Sequence, residues 1–80
     1  MTVRLAEDGA ILLEGPCPSE EAEVLLRFLL EAPGSTVDWS SCDHAHTAVV
    51  QVLLAVRPIL RGPPRAPFLA KWIAPILRGP

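Results

Sequence analysis

The stretch 36–56, TVDWSSCDHAHTAVVQVLLAV, decides the fold of this chain. Residues 36–39 predict a short strand, and the polar cluster at 40–47 is interpreted as the loop that follows it. In the apolar run 48–56 only Gln51 is polar. The valines of this run favour a strand, but its length and its end at Arg57 and Pro58 favour a helix buried on most sides. The polar cluster therefore lies directly before a buried helix.

The residues before this stretch predict a hairpin of two strands. Residues 2–6 form the first strand, and Asp8-Gly9 supplies the positive φ angle that a hairpin turn needs. The second strand, residues 10–14, is apolar on both faces and is expected to be central in a sheet. The sequence Gly15-Pro16-Cys17-Pro18 is expected to end it.

A helix is predicted from Ser19, its N-cap, to about residue 32, where Pro33-Gly34 ends it. Glu20 and Glu21 suit the positive end of the helix dipole. The order strand, helix, strand implies a crossover and a parallel strand pair.

The last third of the chain predicts a linker at 58–66 and an amphipathic helix at 67–78. Pro75 removes a helical hydrogen bond, so the helix should kink or restart there. Its apolar positions form a stripe that either covers the sheet or binds a partner or a second copy of the chain. The residues of this C-terminal stripe are Phe68, Leu69, Trp72, Ile73 and Ile76.

Composition limits the function. The chain has 80 residues, which predicts one domain spanning 1–80, and 50% of them are hydrophobic. A net charge of -2 without a basic stripe argues against nucleic-acid binding. We expect a cytoplasmic protein with no membrane contact, because neither a signal peptide nor a bilayer-spanning apolar stretch is visible. In that compartment Cys17 and Cys42 are expected as free thiols, with one disulfide as the alternative.

A family resemblance follows from the same residues. The segment 37–40 resembles the "apolar, Asp, apolar, Ser" signature that closes the third strand of STAS domains, which occur in bacterial anti-sigma-factor antagonists and sulphate transporters. Aligned without a gap, His46, Thr47 and Val49 fall on the Asp, Ser and Gly of the family's Asp-Ser-x-Gly motif. Residues 11–15 and 19–32 are similar to the family's second strand and first helix. The resemblance covers residues 2–57.

The resemblance implies a small α/β fold with a mixed sheet of three or four strands packed by about three helices. The family usually adds a strand after the second helix, for which Pro63-Pro64 leaves little room. The resemblance also implies a non-enzymatic role without a cofactor, namely binding to a regulatory protein such as a kinase-like anti-sigma factor.

The family's motif further implies that Thr47 is the phosphorylated residue of a switch. A hydroxyl at a helix start is exposed, and a phosphate there meets free backbone N–H groups. The alternative is that Thr47 is only an N-cap or a first-turn residue of the helix. The predicted binding surface comprises Ser40, Ser41, Asp43, His44, His46 and Thr47.

Other interpretations stay open. One is a structural module that dimerises through the C-terminal helix, with Trp72 as the anchor. Another is a small metal or thiol site at 42–46, since Cys42, Asp43, His44 and His46 include zinc-ligand types. Their spacing does not match one helix face, and nearness in sequence is no sign of a catalytic Cys–His pair. At a helix N-terminus, His46 is expected to act as a neutral hydrogen-bonding group.

Overall fold

The computed structural model describes residues 2–78; Met1, Gly79 and Pro80 of the predicted domain lie outside the described residues. The elements in chain order are β1 (Val3–Leu5), β2 (Ile11–Cys17), α1 (Glu20–Glu31), β3 (Thr36–Ala45), α2 (Thr47–Val56), β4 (Ile59–Arg61) and, after a helical start at 67–68, a π-helical turn (Leu69–Ile73) that leads into α3 (Ala74–Arg78). The strands form one sheet in the order β1-β2-β3-β4. The predicted class, a small α/β fold with a mixed sheet and three helices, is confirmed.

The β1–β2 hairpin closes at the predicted turn. Gly9 has φ +88°, and the Asp8 carboxylate accepts a hydrogen bond from the Ala10 N–H at 3.0 Å. The two strands pair antiparallel, with Val3 opposite Leu13. Of the two apolar residues of β1, Val3 is fully buried, whereas Leu5 is 53% exposed at the edge of the sheet.

The predicted end of β2 at Gly15 is wrong, because the strand continues to Cys17. Its pairing with β3 shifts register twice, between Leu12 and Glu14 and between Gly15 and Pro16. These irregularities accommodate Pro16, which has no N–H for a regular ladder. The central position of β2 is confirmed, since it pairs antiparallel with β1 and parallel with β3.

Helix α1 begins after Ser19, but the predicted side-chain cap is wrong. Ser19 already has helical angles (φ -59°, ψ -34°) and makes no capping hydrogen bond. Its hydroxyl therefore lies outside the capping geometry, which requires a non-helical residue. In the second helical position, Glu21 instead accepts hydrogen bonds from the backbone N–H and hydroxyl of Thr2, at 2.8 and 3.0 Å.

Strand β3 is longer than predicted. It runs through Ala45, so residues 40–45 of the polar cluster are in a strand and not in a loop. Pairing with the extended β2 explains the extra length, because Gly15 opposes Cys42 and Cys17 opposes Ala45. On its other side, β3 pairs parallel with β4, which lies inside the segment 58–66 that we predicted as a linker.

Residues 48–56 are helical, as predicted, and α2 buries Val49, Val50 and Leu53. It ends at Arg57, which has left-handed angles and donates its N–H to the Leu53 carbonyl at 2.8 Å. In the C-terminal helix, the π-helical turn gives way to α3 one residue before Pro75. This change accommodates the missing N–H of Pro75 and agrees with the predicted restart.

The two faces of the sheet differ in chemistry. One face packs with the helices into a core that includes Ile11, Leu25, Trp39 and Leu53. The other face carries an ion-pair ladder of exposed or half-buried groups: Arg4 with Glu14, and Arg61 with Asp38 and Asp8. Within residues 2–78, no helix is long and apolar enough to cross a bilayer.

Candidate functional site

A cavity of about 400 Å³ lies where β3 ends and α2 begins. One wall comes from the polar cluster and the other from the start of the C-terminal helix. Its lining residues are Asp43, His44, Ala45, His46, Thr47, Ala66, Pro67, Phe68 and Leu69. The cavity is at the carboxyl ends of the parallel strands β2 and β3, the edge at which open α/β sheets bind their ligands.

His46 is the N-cap of α2. Its Nδ1 atom accepts a hydrogen bond from the Ala48 N–H at 3.0 Å, and its carbonyl accepts from the N–H of Val49 at 2.9 Å. Because Nδ1 must carry a lone pair to accept this bond, His46 caps the helix as a neutral imidazole.

Thr47 is the first residue of α2 and its side chain is exposed. The capping acceptor at this helix end is His46, so Thr47 is not the cap, and the alternative of an ordinary first-turn residue agrees with its position. It lines the cavity at the start of α2, close to the positive end of the helix dipole.

The second wall is held in place by contacts that the sequence did not predict. The Ala66 N–H donates to the Cys42 carbonyl at 3.0 Å, and the Arg65 guanidinium pairs with the Asp43 carboxylate at 3.1 Å. The residues involved, Arg65, Ala66 and Pro67, come from a segment that we expected to be linker or helix start. The opposite charges of Asp43 and Arg65 were the only sequence signal for this pairing.

Ser40 is not at the cavity. Its hydroxyl and backbone N–H both donate to Asp38, at 2.6 and 3.0 Å, on the face with the ion pairs. These two hydrogen bonds, and then the Arg61 guanidinium, lower the pKa of Asp38 below its ordinary value. Ser41 is half-buried beside Glu14 of β2. Of the predicted binding surface, Asp43, His44, His46 and Thr47 thus lie together, and the two serines lie apart.

The C-terminal stripe also divides into two sets. Leu69 is buried and Ile73 is half-buried against the core. Phe68, Trp72 and Ile76, spaced four residues apart, are 63%, 57% and 51% exposed. The Lys71 ammonium lies 5.2 Å from the centre of the Trp72 ring. Only Phe68 and Leu69 of this stripe line the cavity.

Two buried thiols lie below the cavity. The Sγ atoms of Cys17 and Cys42 are 3.9 Å apart, and both residues are free cysteines without exposed surface. The hydrogen bond that they share raises the pKa of the Cys42 thiol, and burial raises it further. We expected free thiols from the sequence, with one disulfide as the alternative; both cysteines are free, and the extended β2–β3 pairing brings them together.

The alternative metal or thiol site finds little geometric support. Cys42 faces the core and contacts Cys17, whereas the imidazoles of His44 and His46 are exposed. Among residues 2–78, no group of three or more His, Cys, Asp or Glu side chains could hold a metal ion. The arrangement at the cavity is suited to recognition, with apolar surface beside hydrogen-bonding groups.

Comparison with known proteins finds no match to this chain: no family model, no curated protein and no solved structure is significantly similar to it.

Proposed function

We propose that this protein is a non-enzymatic protein–protein interaction module of bacterial signalling, similar to the STAS-family anti-sigma-factor antagonists, and that phosphorylation of Thr47 gates its binding. One observation carries the proposal. Thr47 is the exposed first residue of α2 and borders a cavity whose opposite wall is the exposed aromatic ring of Phe68. A modifiable hydroxyl thus lies beside an apolar contact point.

The order of the elements supports the resemblance. Strand, strand, helix, strand and helix follow one another as in the family, and β4 comes directly after α2. The family usually has a strand after its second helix, for which Pro63-Pro64 left little room. The short strand Ile59–Arg61 lies before these prolines and is its counterpart in this proposal. A parallel strand that follows α2 and pairs with β3 supports the proposal.

The surface has the composition of a recognition site. Phe68 offers an exposed aromatic anchor, and His44, His46 and Asp43 supply hydrogen-bonding groups around it. Aromatic residues bordered by polar groups carry much of the binding energy in protein interfaces. A regulatory protein in the cytoplasm, such as a kinase-like anti-sigma factor, is the partner that we propose.

Phosphorylation of Thr47 would act through charge and solvation. A phosphate adds about -1.5 to -2 charges at neutral pH. At the start of α2 it is tolerated, since the positive end of the helix dipole favours an anion there. When a partner docks its apolar surface here, the same charge must be desolvated. Binding is therefore lost while the fold is kept.

The test compares tagged proteins in pull-downs from lysate of the native organism, read by mass spectrometry. Wild type, Thr47→Ala and Thr47→Glu are compared with Ser19→Glu, a matched control. Ser19 is also an exposed hydroxyl at a helix start, but it precedes α1 and does not line the cavity. Phosphate on Thr47 is sought in protein isolated from native cells.

The proposal expects a partner that wild type, Thr47→Ala and Ser19→Glu retain and that Thr47→Glu loses. Thr47→Glu should unfold at the same urea concentration as wild type, which separates lost binding from lost structure. Equal retention of the partner by all four proteins, or an unphosphorylated Thr47 in cells under every growth condition, would contradict the gate.

A second candidate function is a module that dimerises through the C-terminal helix. The exposed positions Phe68, Trp72 and Ile76 favour it, because they form one apolar face that the described residues do not cover. Sedimentation of wild type and Trp72→Ala tests this function. A dimer that dissociates in the variant supports it, whereas a wild-type monomer at high concentration excludes it.

A further inference from the structure

The thiol pair of Cys17 and Cys42 has no part in the proposed binding function. Both side chains are fully buried, yet their Sγ atoms are 3.9 Å apart and neither forms a disulfide. Two thiols this close can be joined by a bond of about 2 Å if their strands shift slightly. Packing alone requires no such pairing, since one small apolar residue would fill either position equally well.

The backbone of each cysteine holds one wall of the cavity. The Cys17 carbonyl accepts the N–H of His46 at 2.9 Å, and the Cys42 carbonyl accepts the N–H of Ala66 at 3.0 Å. His46 is the cap of α2, and Ala66 directly precedes the C-terminal helix. Any change that draws the two cysteines together therefore also moves the two walls.

The end of β2 that carries Cys17 is irregular. The register of the β2–β3 pair changes between Gly15 and Pro16, next to Cys17. Gly15 has φ +64°, with nothing within 4 Å of the position that a Cβ would occupy. A backbone irregularity with free space around it absorbs a small displacement at lower cost than a regular ladder does.

From this geometry we infer that Cys17 and Cys42 are a redox pair, and that their oxidation to a disulfide changes the shape of the cavity at the start of α2. The oxidant is a small-molecule disulfide. The site is thus a second control point on the same surface, which acts whether or not Thr47 is modified.

The reaction balances as two thiol–disulfide exchanges. The Cys17 thiolate attacks one sulfur of the oxidant and releases its other half as a thiol, which leaves a mixed disulfide on Cys17. The Cys42 thiolate then attacks the Cys17 sulfur and releases the second thiol. In total, the two cysteines lose two electrons and two protons, and the oxidant is reduced to two thiols.

The order of the two attacks follows from the surroundings of the thiols. The hydrogen bond from Cys42 lowers the pKa of the Cys17 thiol, so Cys17 ionises first. Pro16 and Pro18 on either side of Cys17 are exposed, so a short local opening at this end of β2 brings its sulfur to solvent. Cys42, whose thiol has the raised pKa, acts second.

The experiment uses the full-length, ¹⁵N-labelled protein treated with oxidised glutathione. Intact mass and thiol counts after denaturation report the bond, and the amide resonances of His46 and Ala66 report the cavity walls. Cys42→Ala is the matched variant, because it keeps Cys17 reactive but cannot close the bond. Wild type reduced again with dithiothreitol tests reversibility.

We expect oxidised wild type to lose two hydrogen atoms per chain, to remain monomeric and to expose no thiol after denaturation. The amide resonances of His46 and Ala66 should shift, and reduction should return them. Cys42→Ala should stop at the mixed disulfide with glutathione.

Three outcomes would overturn the inference. The first is a wild type whose two thiols stay free under conditions that oxidise the denatured chain. The second is a disulfide between chains instead of within one. The third is an internal disulfide that leaves the resonances of His46 and Ala66 in place, which would make the bond irrelevant to the cavity.

Discussion

The indole Nε1 of Trp39 donates a hydrogen bond to the carbonyl oxygen of Gly62 at 2.9 Å. Trp39 is a core residue of β3, 2% exposed, and Gly62 directly follows the edge strand β4. The bond anchors the chain between β4 and the C-terminal helix to the centre of the sheet. This anchor places Ala66 and Phe68 opposite the polar end of β3, so the cavity depends on it.

Gly62 should not tolerate a side chain. It has φ +81°, and an added Cβ would lie 2.9 Å from the Cβ of Ser40. Left-handed angles alone cost an alanine about 1–2 kcal/mol, and relieving the overlap costs about 1–3 kcal/mol more. We therefore expect Gly62→Ala to lower the free energy of unfolding by about 2–5 kcal/mol in urea titrations.

Gly9→Ala is the control for this substitution. Gly9 has a similar φ, +88°, but no atom within 4 Å of the added Cβ. Gly9→Ala should lower the free energy of unfolding only by the cost of the left-handed angles, about 1–2 kcal/mol. If Gly62→Ala and Gly9→Ala lower the free energy of unfolding equally, the contact with Ser40 costs nothing.

The cap on α2 should contribute measurably to stability. His46→Ala removes the acceptor of the Ala48 N–H, and loss of an N-cap acceptor costs about 1 kcal/mol. His46→Asn keeps an acceptor at this position and should retain wild-type stability. Urea unfolding monitored by circular dichroism compares the three proteins, and an unstable Asn variant would mean that the imidazole contributes through packing instead.

The pKa of Asp38 makes stability depend on pH in acid. Hydrogen bonds from Ser40 and the ion pair with Arg61 lower this pKa from its ordinary value of 3.8. Because this pKa is lower in the folded state, the ionised carboxylate stabilises the fold at pH values above the ordinary pKa. This stabilisation is lost as pH falls through the folded pKa. Acidification below about pH 4 should therefore weaken the fold.

Ser40→Ala tests this linkage, because it removes the largest cause of the shift. The pKa of Asp38, followed by the NMR shift of its carboxyl carbon, should rise towards the ordinary value. The difference in unfolding free energy between wild type and Ser40→Ala should be larger at neutral pH than in acid. A difference that does not vary with pH would assign the effect of Ser40 to something other than Asp38.

Arg57 is a site for stabilisation. It ends α2 with left-handed angles, φ 53° and ψ 58°, and its side chain makes a long, exposed hydrogen bond to the Ile76 carbonyl at 3.4 Å. Glycine adopts these angles without steric cost, so Arg57→Gly should raise the free energy of unfolding by about 1 kcal/mol. Arg57→Ala keeps the Cβ and should not raise the free energy of unfolding. If both variants are more stable than wild type, the arginine charge is the cause.

Local sequence determined the type and order of every element except β4. Asp8-Gly9 specified the hairpin turn, Pro33-Gly34 ended the first helix, and the length of the run 48–56 distinguished a helix from a strand. Each of these features depends on backbone preferences within a few residues or on the spacing of apolar side chains. Such signals are present in any short window of the chain, so they could be identified without the tertiary structure.

Tertiary pairing decided where the strands end and which residues meet. Polar residues 40–45 belong to β3 because β2 continues beside them past Pro16, and residues 59–61 form β4 because β3 offers them an edge. Pairing energy across strands outweighed the local preference of serine, aspartate and proline for loops. The same contacts, between partners more than twenty residues apart, brought Cys17 to Cys42 and Phe68 to Thr47. No local pattern encodes such distances, so the cavity and its thiol pair exist only in the folded chain.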